Sequence, residues 1–249
     1  GIGWGVTLHG SHGIQWAQDV HPDFIKVASM DHSNLPLVRE LVDSFAVPIV
    51  VSLGMADRVA TEAVAEVLGR HEARAVLMHC SSLYPPTWDD LRLSNIAFLL
   101  SHYGLEVGFS DHTLGSSAAT EARKQGATVF EKHITRCKRQ RGPDHAFATE
   151  VGSLPEYVSE IKRQEANLMS GQEAQFIAPP EQEILNRARY MKSVIAARFI
   201  QPNTEIVPSD VYCARPGTGI SPADIDQVIG QVVHRPIEAH TPLTWSDLG

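Results

Sequence analysis

Six short and almost uninterrupted apolar runs, separated by segments of helical periodicity, leave this chain few ways to fold. The runs are 2–8 (IGWGVTL), 24–29 (FIKVAS), 48–54 (PIVVSLG), 75–81 (AVLMHCS), 106–110 (EVGFS) and 127–131 (ATVFE). A strand that is apolar at successive positions, rather than alternate ones, is covered on both faces, the condition of a strand inside a parallel sheet flanked by helices. Between the runs, 34–45 repeats Leu35, Leu37, Val38, Leu41 and Val42 at helical spacing, and 57–68 does the same with Val59, Ala63, Val64 and Val67. Residues 114–126 place Ala119, Ala122 and Arg123 likewise before Gly126 stops the helix. Strand and helix in alternation predict an α/β fold with a parallel sheet and right-handed crossovers. The count is six strands, two short of a closed TIM barrel.

In such sheets ligands gather at the carboxyl ends of the strands. The fifth run leads into Asp111, His112 and Thr113, and the sixth into Lys132 and His133. A single strand-end His is more often a hydrogen-bonding residue than a ligand. Two in the same register, one beside Asp111 and one beside Glu131, suit a divalent ion with open coordination positions. Thr7, Lys26, Ser29, Ser52 and Ser110 fall at or near the same edge and offer hydroxyl donors with a fixed cation, a set that fits phosphate and carboxylate better than an apolar ligand.

Charge and composition narrow the partners. With a formal net charge of -8, the chain lacks the basic face that nucleic acid or an anionic membrane surface would require. No apolar run approaches the roughly 20 residues that span a bilayer. The cysteines Cys80, Cys137 and Cys213 are few, odd in number and far apart, which fits neither a disulfide framework nor a zinc cluster. Past the sixth run, 154–170 reads as a polar amphipathic helix and 181–189, after Pro179 and Pro180, as a charged one. From 194 onward, short apolar pieces alternate with Pro and Gly, the pattern of a compact, turn-rich β domain. The expected division is 1–175, 176–193 and 194–249.

The strings SDHT at 110–113, EKHIT at 131–135 and GPDHA at 142–146, in this order and spacing, resemble the N-acetylneuraminate (sialic acid) synthase family. The stretch from 194, with RPGTGISP at 215–222, is similar to the antifreeze-like (SAF) domain that ends those enzymes. The resemblance implies a (β/α)8 barrel whose first two strands, carrying a further phosphate-binding Lys and an acidic residue, are missing here, so the chain reads as part of a longer protein. It implies condensation of phosphoenolpyruvate with an N-acylated hexose, N-acetylmannosamine or a related amino sugar, to a nonulosonic acid with release of phosphate. Mn or Mg would be held by His112 and His133, with Glu131 orienting the metal shell or moving a proton. Thr7, Lys26 and Ser29 match residues that hold phosphoenolpyruvate. Asp31 stands where relatives place a Glu on the acceptor sugar, which points to an acceptor other than plain N-acetylmannosamine. Leu53 replaces a Thr and removes a hydroxyl. Tyr84 matches an aromatic lining the pocket, and Asp144 and His145 a loop that closes over it. Arg215 would reach the neighbour's site in a domain-swapped homodimer, in the cytoplasm. The competing reading from a different class is a catalytically inactive sugar-binding or oligomerisation module.

Overall fold

The structure, a computed structural model, describes residues 1–71, 74–166 and 174–249. Strands β1 (Gly5–Thr7), β2 (Phe24–Val27), β3 (Ile49–Ser52), β4 (Ala75–Cys80), β5 (Glu106–Asp111) and β6 (Val129–Lys132) form one sheet in the order β1 to β6, and every pairing is parallel. The expected burial on both faces holds for β4, all six of whose residues are buried, and for β5 from Val107 to Asp111; β2 buries only Ile25 and Val27, on one face, and β1 and β6 are half-buried throughout. Within the sheet β1 pairs only with β2, and β6 only with β5, so the curved fan is open between them. Curvature brings strands together at Gly108, where a Cβ would lie 2.2 Å from Met78 Sδ and 2.7 Å from the Val129 carbonyl oxygen. Only glycine fits there.

The crossovers are α1 (His12–Val20), α2 (Leu35–Ser44), α3 (Arg58–Leu68), α4 (Ser94–Tyr103) and α5 (Ser117–Lys124). Asp57 caps α3, its Oδ1 accepting the Ala60 N–H at 2.9 Å. The buried arc of α3 is Thr61, Val64, Ala65, Val67 and Leu68. Val59, expected inside, lies on the opposite side of the helix and is 77% exposed. The short pair β7 (Ile134–Thr135) and β8 (Thr149–Glu150) brackets the loop that carries Asp144. Helix α6 (Leu154–Lys162) closes eight residues before the expected end at 170; residues 167–170 of that expectation lie outside the described residues.

Residues 174–180 return along the barrel, where the Asn95 side-chain amide pairs with the Ile177 backbone in both directions, each bond 2.8 Å. Helix α7 (Glu181–Tyr190) then lies across the carboxyl ends of the sheet. The C-terminal domain has its own core of Val194, Ile200, Ile206, Val228, Val233, Ile237 and Leu243. Its strands β9 (Ser193–Ala196) and β10 (Val211–Ala214) are antiparallel, and the rest is isolated bridges, turns and the short α8 (Ile225–Val228), as the Pro and Gly pattern predicts. Lys192 reaches Asp31, and Arg39 of α2 reaches Asp226, which seat this domain on the barrel. Among the described residues, no helix is long and apolar enough to cross a membrane.

Candidate active site

A pocket of about 400 Å³ opens at the carboxyl ends of the strands, within the range of small-molecule sites. Lys26 and Ser29 reach it from β2 and the turn after it, Ser52 from β3, and Tyr84 from the loop after β4. Ser110 and His112 come from the end of β5, Glu131 and His133 from β6. Residues scattered over more than a hundred positions thus meet because the parallel strands all end on one side.

Lys26 and Glu131 form the electrostatic centre. The ammonium lies 2.8 Å and 3.0 Å from the two carboxylate oxygens, and the Ser110 hydroxyl donates to Glu131 Oε1 at 2.6 Å. Burial pushes the Glu131 carboxyl up, but the Lys26 charge, the hydrogen bonds from Lys26 and Ser110, and His112 together outweigh it and hold the group below the ordinary carboxylate range. Glu131 is therefore ionised at neutral pH. In the same pocket the buried hydroxyls of Ser52 and Ser82 have no hydrogen-bond partner among the described residues. Buried donors without partners beside a cation are suited to the oxygens of an anion. Gly54 makes room for them: a Cβ there would sit 2.1 Å from Ser82 Oγ, 2.7 Å from Ser29 Oγ and 2.8 Å from Cys80 Sγ.

The two imidazoles lie side by side, ring centres 5.4 Å apart. His112 Nδ1 is 2.8 Å from the Ser81 carbonyl oxygen. A carbonyl only accepts, so Nδ1 carries the proton and Nε2 keeps its lone pair for the pocket. Burial lowers the His112 pKa, and the nearby His133 adds to that effect, against the Ser81 bond, so the ring is neutral. His133 Nδ1 lies 3.8 Å from Asp144 Oδ2, and the rings of Tyr84 and Phe147 flank the pair at 4.2 Å from His112 and 5.1 Å from His133. Among the described residues no cluster of three or more His, Cys, Asp or Glu could hold a metal ion. The donor set on offer is the two imidazoles of His112 and His133, with remaining positions left to water or ligand oxygens.

Three expected residues do not line the pocket. Asp31 is fully buried between His9 Nδ1 at 2.6 Å and Lys192 Nζ at 2.5 Å, so its carboxylate anchors the C-terminal domain instead of facing a sugar. Thr7 ends β1 half-buried and away from the pocket lining, and Arg215 is exposed just past β10. Asp111, beside His112 in the sequence, is saturated away from the pocket: it accepts from the Thr113 N–H and hydroxyl, Lys132 Nζ and the Tyr157 hydroxyl at 2.7–2.9 Å. It braces the end of β5. His145, for its part, has Nδ1 2.8 Å from the Thr135 hydroxyl.

Sequence reasoning missed Ser82, Met55, Asn186 and Tyr190, all of which line the pocket. The last two ride on α7, which is clamped to the β3 loop. Glu183 accepts the Met55 N–H at 2.8 Å and the Ser81 hydroxyl at 2.6 Å, and Arg187 Nε donates to the Met55 carbonyl at 2.8 Å.

A parallel barrel fan with a pocket lined by a lysine, hydroxyls and imidazoles at its carboxyl mouth, followed by a small β domain, defines a barrel-type protein. The chain belongs to the NeuB family, whose profile matches residues 1–173, and a SAF domain follows at 192–249. It is 33% identical over 90% of its length to the N,N'-diacetyllegionaminic acid synthase of Legionella pneumophila, of which it covers 63%. It is 26% identical over 96% of its length to the pseudaminic acid synthase of Helicobacter pylori, covering 69% of it. With the human N-acetylneuraminate-9-phosphate synthase it shares 27% identity over 88% of its length, covering 60% of that protein. The chain thus spans a little under two thirds of the Legionella protein's length. Among solved structures, the spore coat polysaccharide biosynthesis protein spsE of Bacillus subtilis has the same fold, with a TM-score of 0.84 over 98% of this chain and 72% of that one at 23% identity. The sialic acid synthetase of Leptospira borgpetersenii matches 71% of this chain and 60% of that one at 28% identity, with a TM-score of 0.61.

Proposed function

We propose that this chain forms most of the active site of a nonulosonic acid synthase that joins phosphoenolpyruvate to the open-chain aldehyde of an N-acylated hexose and releases phosphate. The observation that carries this reading is one pocket holding an ammonium, hydroxyls without a partner among the described residues, an ionised carboxylate and two imidazoles, of which that of His112 is neutral. It is supported by relatives named as synthases of three different nonulosonic acids. Lys26, Ser29, Ser52 and Ser110 bind the phosphate and carboxylate of phosphoenolpyruvate, and Tyr84 covers the sugar. C3 of phosphoenolpyruvate adds to the aldehyde carbon, whose oxygen takes a proton. Water then adds at C2 and phosphate departs. Glu131, ionised and within the pocket, is the group that holds or moves a proton, while Lys26 and Ser110 keep it in place. A divalent ion, Mn or Mg, bound through His112 and His133, would supply stabilisation of the negative charge that grows on the aldehyde oxygen.

The protein is proposed to act as a homodimer in the cytoplasm. Arg215, exposed and outside the pocket of its own chain, would then reach a partner's pocket only if the C-terminal domain is seated differently in the dimer. The decisive assay is phosphate release by the full-length protein from phosphoenolpyruvate with a panel of N-acylated amino sugars, with and without Mn. Release that needs an acceptor and is lost in His112→Ala and His133→Ala is expected. Metal-dependent release retained in both variants overturns the assignment, and release with no acceptor in the panel favours a binding module.

A further inference from the structure

Glu183 is buried to 2% exposure in the first turn of α7 and does not itself line the pocket. Its carboxylate lies at the positive end of the helix dipole and accepts from two neutral donors, the Met55 N–H and the Ser81 hydroxyl. Both donors belong to residues that shape the site. Met55 lines the pocket with φ at +66°, a left-handed conformation that a Met adopts only when held. Glu183 holds its N–H and Arg187, one helical turn later, its carbonyl, so α7 grips both polar ends of one strained residue. Ser81 uses its hydroxyl on Glu183 and its carbonyl on His112 Nδ1.

We propose that Glu183 is a positioning residue that, through Ser81, fixes His112 in the Nδ1-protonated tautomer with Nε2 facing the pocket, so that seating of α7 and readiness of the imidazole are one event. The proposal rests on the reading of His112 as a nitrogen ligand for its functional consequence, but not for its structural claim. The outer partner of a ligating His typically changes metal affinity by about 10–100-fold when removed.

The test compares Glu183→Ala, Glu183→Gln and Ser81→Ala with the unaltered full-length protein. Nitrogen-15 spectra of His112 in the metal-free protein report the tautomer, amide hydrogen exchange of 52–56 reports the grip on Met55, and Mn(II) titration reports affinity. In Glu183→Ala the single tautomer should give way to a mixture, Met55 should lose protection, and Mn(II) should bind at least about tenfold more weakly. Glu183→Gln should stay within about threefold of the unaltered protein, because an amide oxygen still accepts the Met55 N–H and its nitrogen donates to the Ser81 hydroxyl. If Glu183→Ala does not fold, Ser81→Ala carries the same expectation for the tautomer. An unchanged His112 spectrum in Glu183→Ala or Ser81→Ala overturns the proposal, as does a Gln variant as impaired as the Ala variant. A tautomer mixture with Mn(II) affinity unchanged supports the positioning role and counts against His112 as the metal ligand.

Discussion

Replacing Lys26 with Met should destabilise the protein in a way that depends on pH with a defined sign. The Lys26 and Glu131 side chains are 19% and 33% exposed, so the pair is neither a surface bridge nor a sealed one. Exposed pairs contribute up to about 1 kcal/mol and breaking a buried pair costs about 3–5 kcal/mol, which puts this site at about 2 kcal/mol at pH 7. In a chain of this size that is a fall in Tm of about 4–8 °C. In the unaltered protein the Glu131 carboxyl sits below its ordinary value of 4.5, so its stabilisation is present above that value and lost as the pH falls through the folded-state pKa. In Lys26→Met, burial continues to push the carboxyl up while the main opposing charge is gone. Its pKa then rises above the unfolded value, the ionised group becomes a liability at neutral pH, and that liability vanishes as the pH falls toward about 4.5. Urea denaturation at pH 7 and pH 4.5 should therefore show the gap between the two proteins narrowing with acid. Adding Glu131→Gln should return most of the lost stability while phosphoenolpyruvate binding stays lost, a coupling of about 1–2 kcal/mol. A gap of equal size at both pH values, or coupling below about 0.5 kcal/mol, refutes the reasoning.

Other positions give equally direct checks. Asp111→Asn leaves the Lys132 ammonium, 5% exposed, without its counter-charge, and should cost about 3–5 kcal/mol in urea denaturation; a loss under about 1 kcal/mol would show that Tyr157 and Thr113 suffice to hold the end of β5. Gly54→Ala drives a methyl group into Ser82, Ser29 and Cys80, with an expected cost of about 1–3 kcal/mol and a raised KM for phosphoenolpyruvate; an unchanged KM contradicts the role given to those hydroxyls. Mixing Arg215→Ala subunits with His112→Ala subunits should give hybrid dimers with one working site of two, so about half of the unaltered activity per hybrid and about a quarter in an equal, randomly exchanged mixture, if Arg215 acts across a dimer. No recovery despite demonstrated subunit exchange contradicts the exchange.

The parts of the site that could be read from the sequence are those generated by local pattern. Burial on both faces marks a strand wherever it pairs, and a strand's end follows from its run, so Lys26, Ser52, Ser110, His112, Glu131 and His133 are legible as one edge. Helix α1 was not, because only Ile14 and Ala17 are buried on it and no apolar stripe develops. Glu183 reads as one more charge on a polar helix, since its partner Met55 is 128 residues away and no spacing rule links them. Asp31 misled for the same reason. The resemblance places it at an acceptor-sugar contact, whereas here its carboxylate meets Lys192, brought in by the C-terminal domain. What was lost was docking between distant elements, which depends on shape after each has formed.

In the sheet every strand's neighbours in space are its neighbours in sequence, β1 through β6 without interruption. As such a chain emerges during synthesis, each strand and helix can be laid on the growing edge of those already made, and no later strand has to be inserted between earlier ones. The chemistry follows a different clock. Lys26 arrives with the second strand, while Glu131 and His133 arrive with the sixth and its end, so the ammonium waits through four further strands for its counter-charge. A nascent chain that stops short of residue 131 therefore keeps the Lys26 cation without its counter-charge beside a growing core, a mark that separates an unfinished chain from a finished one.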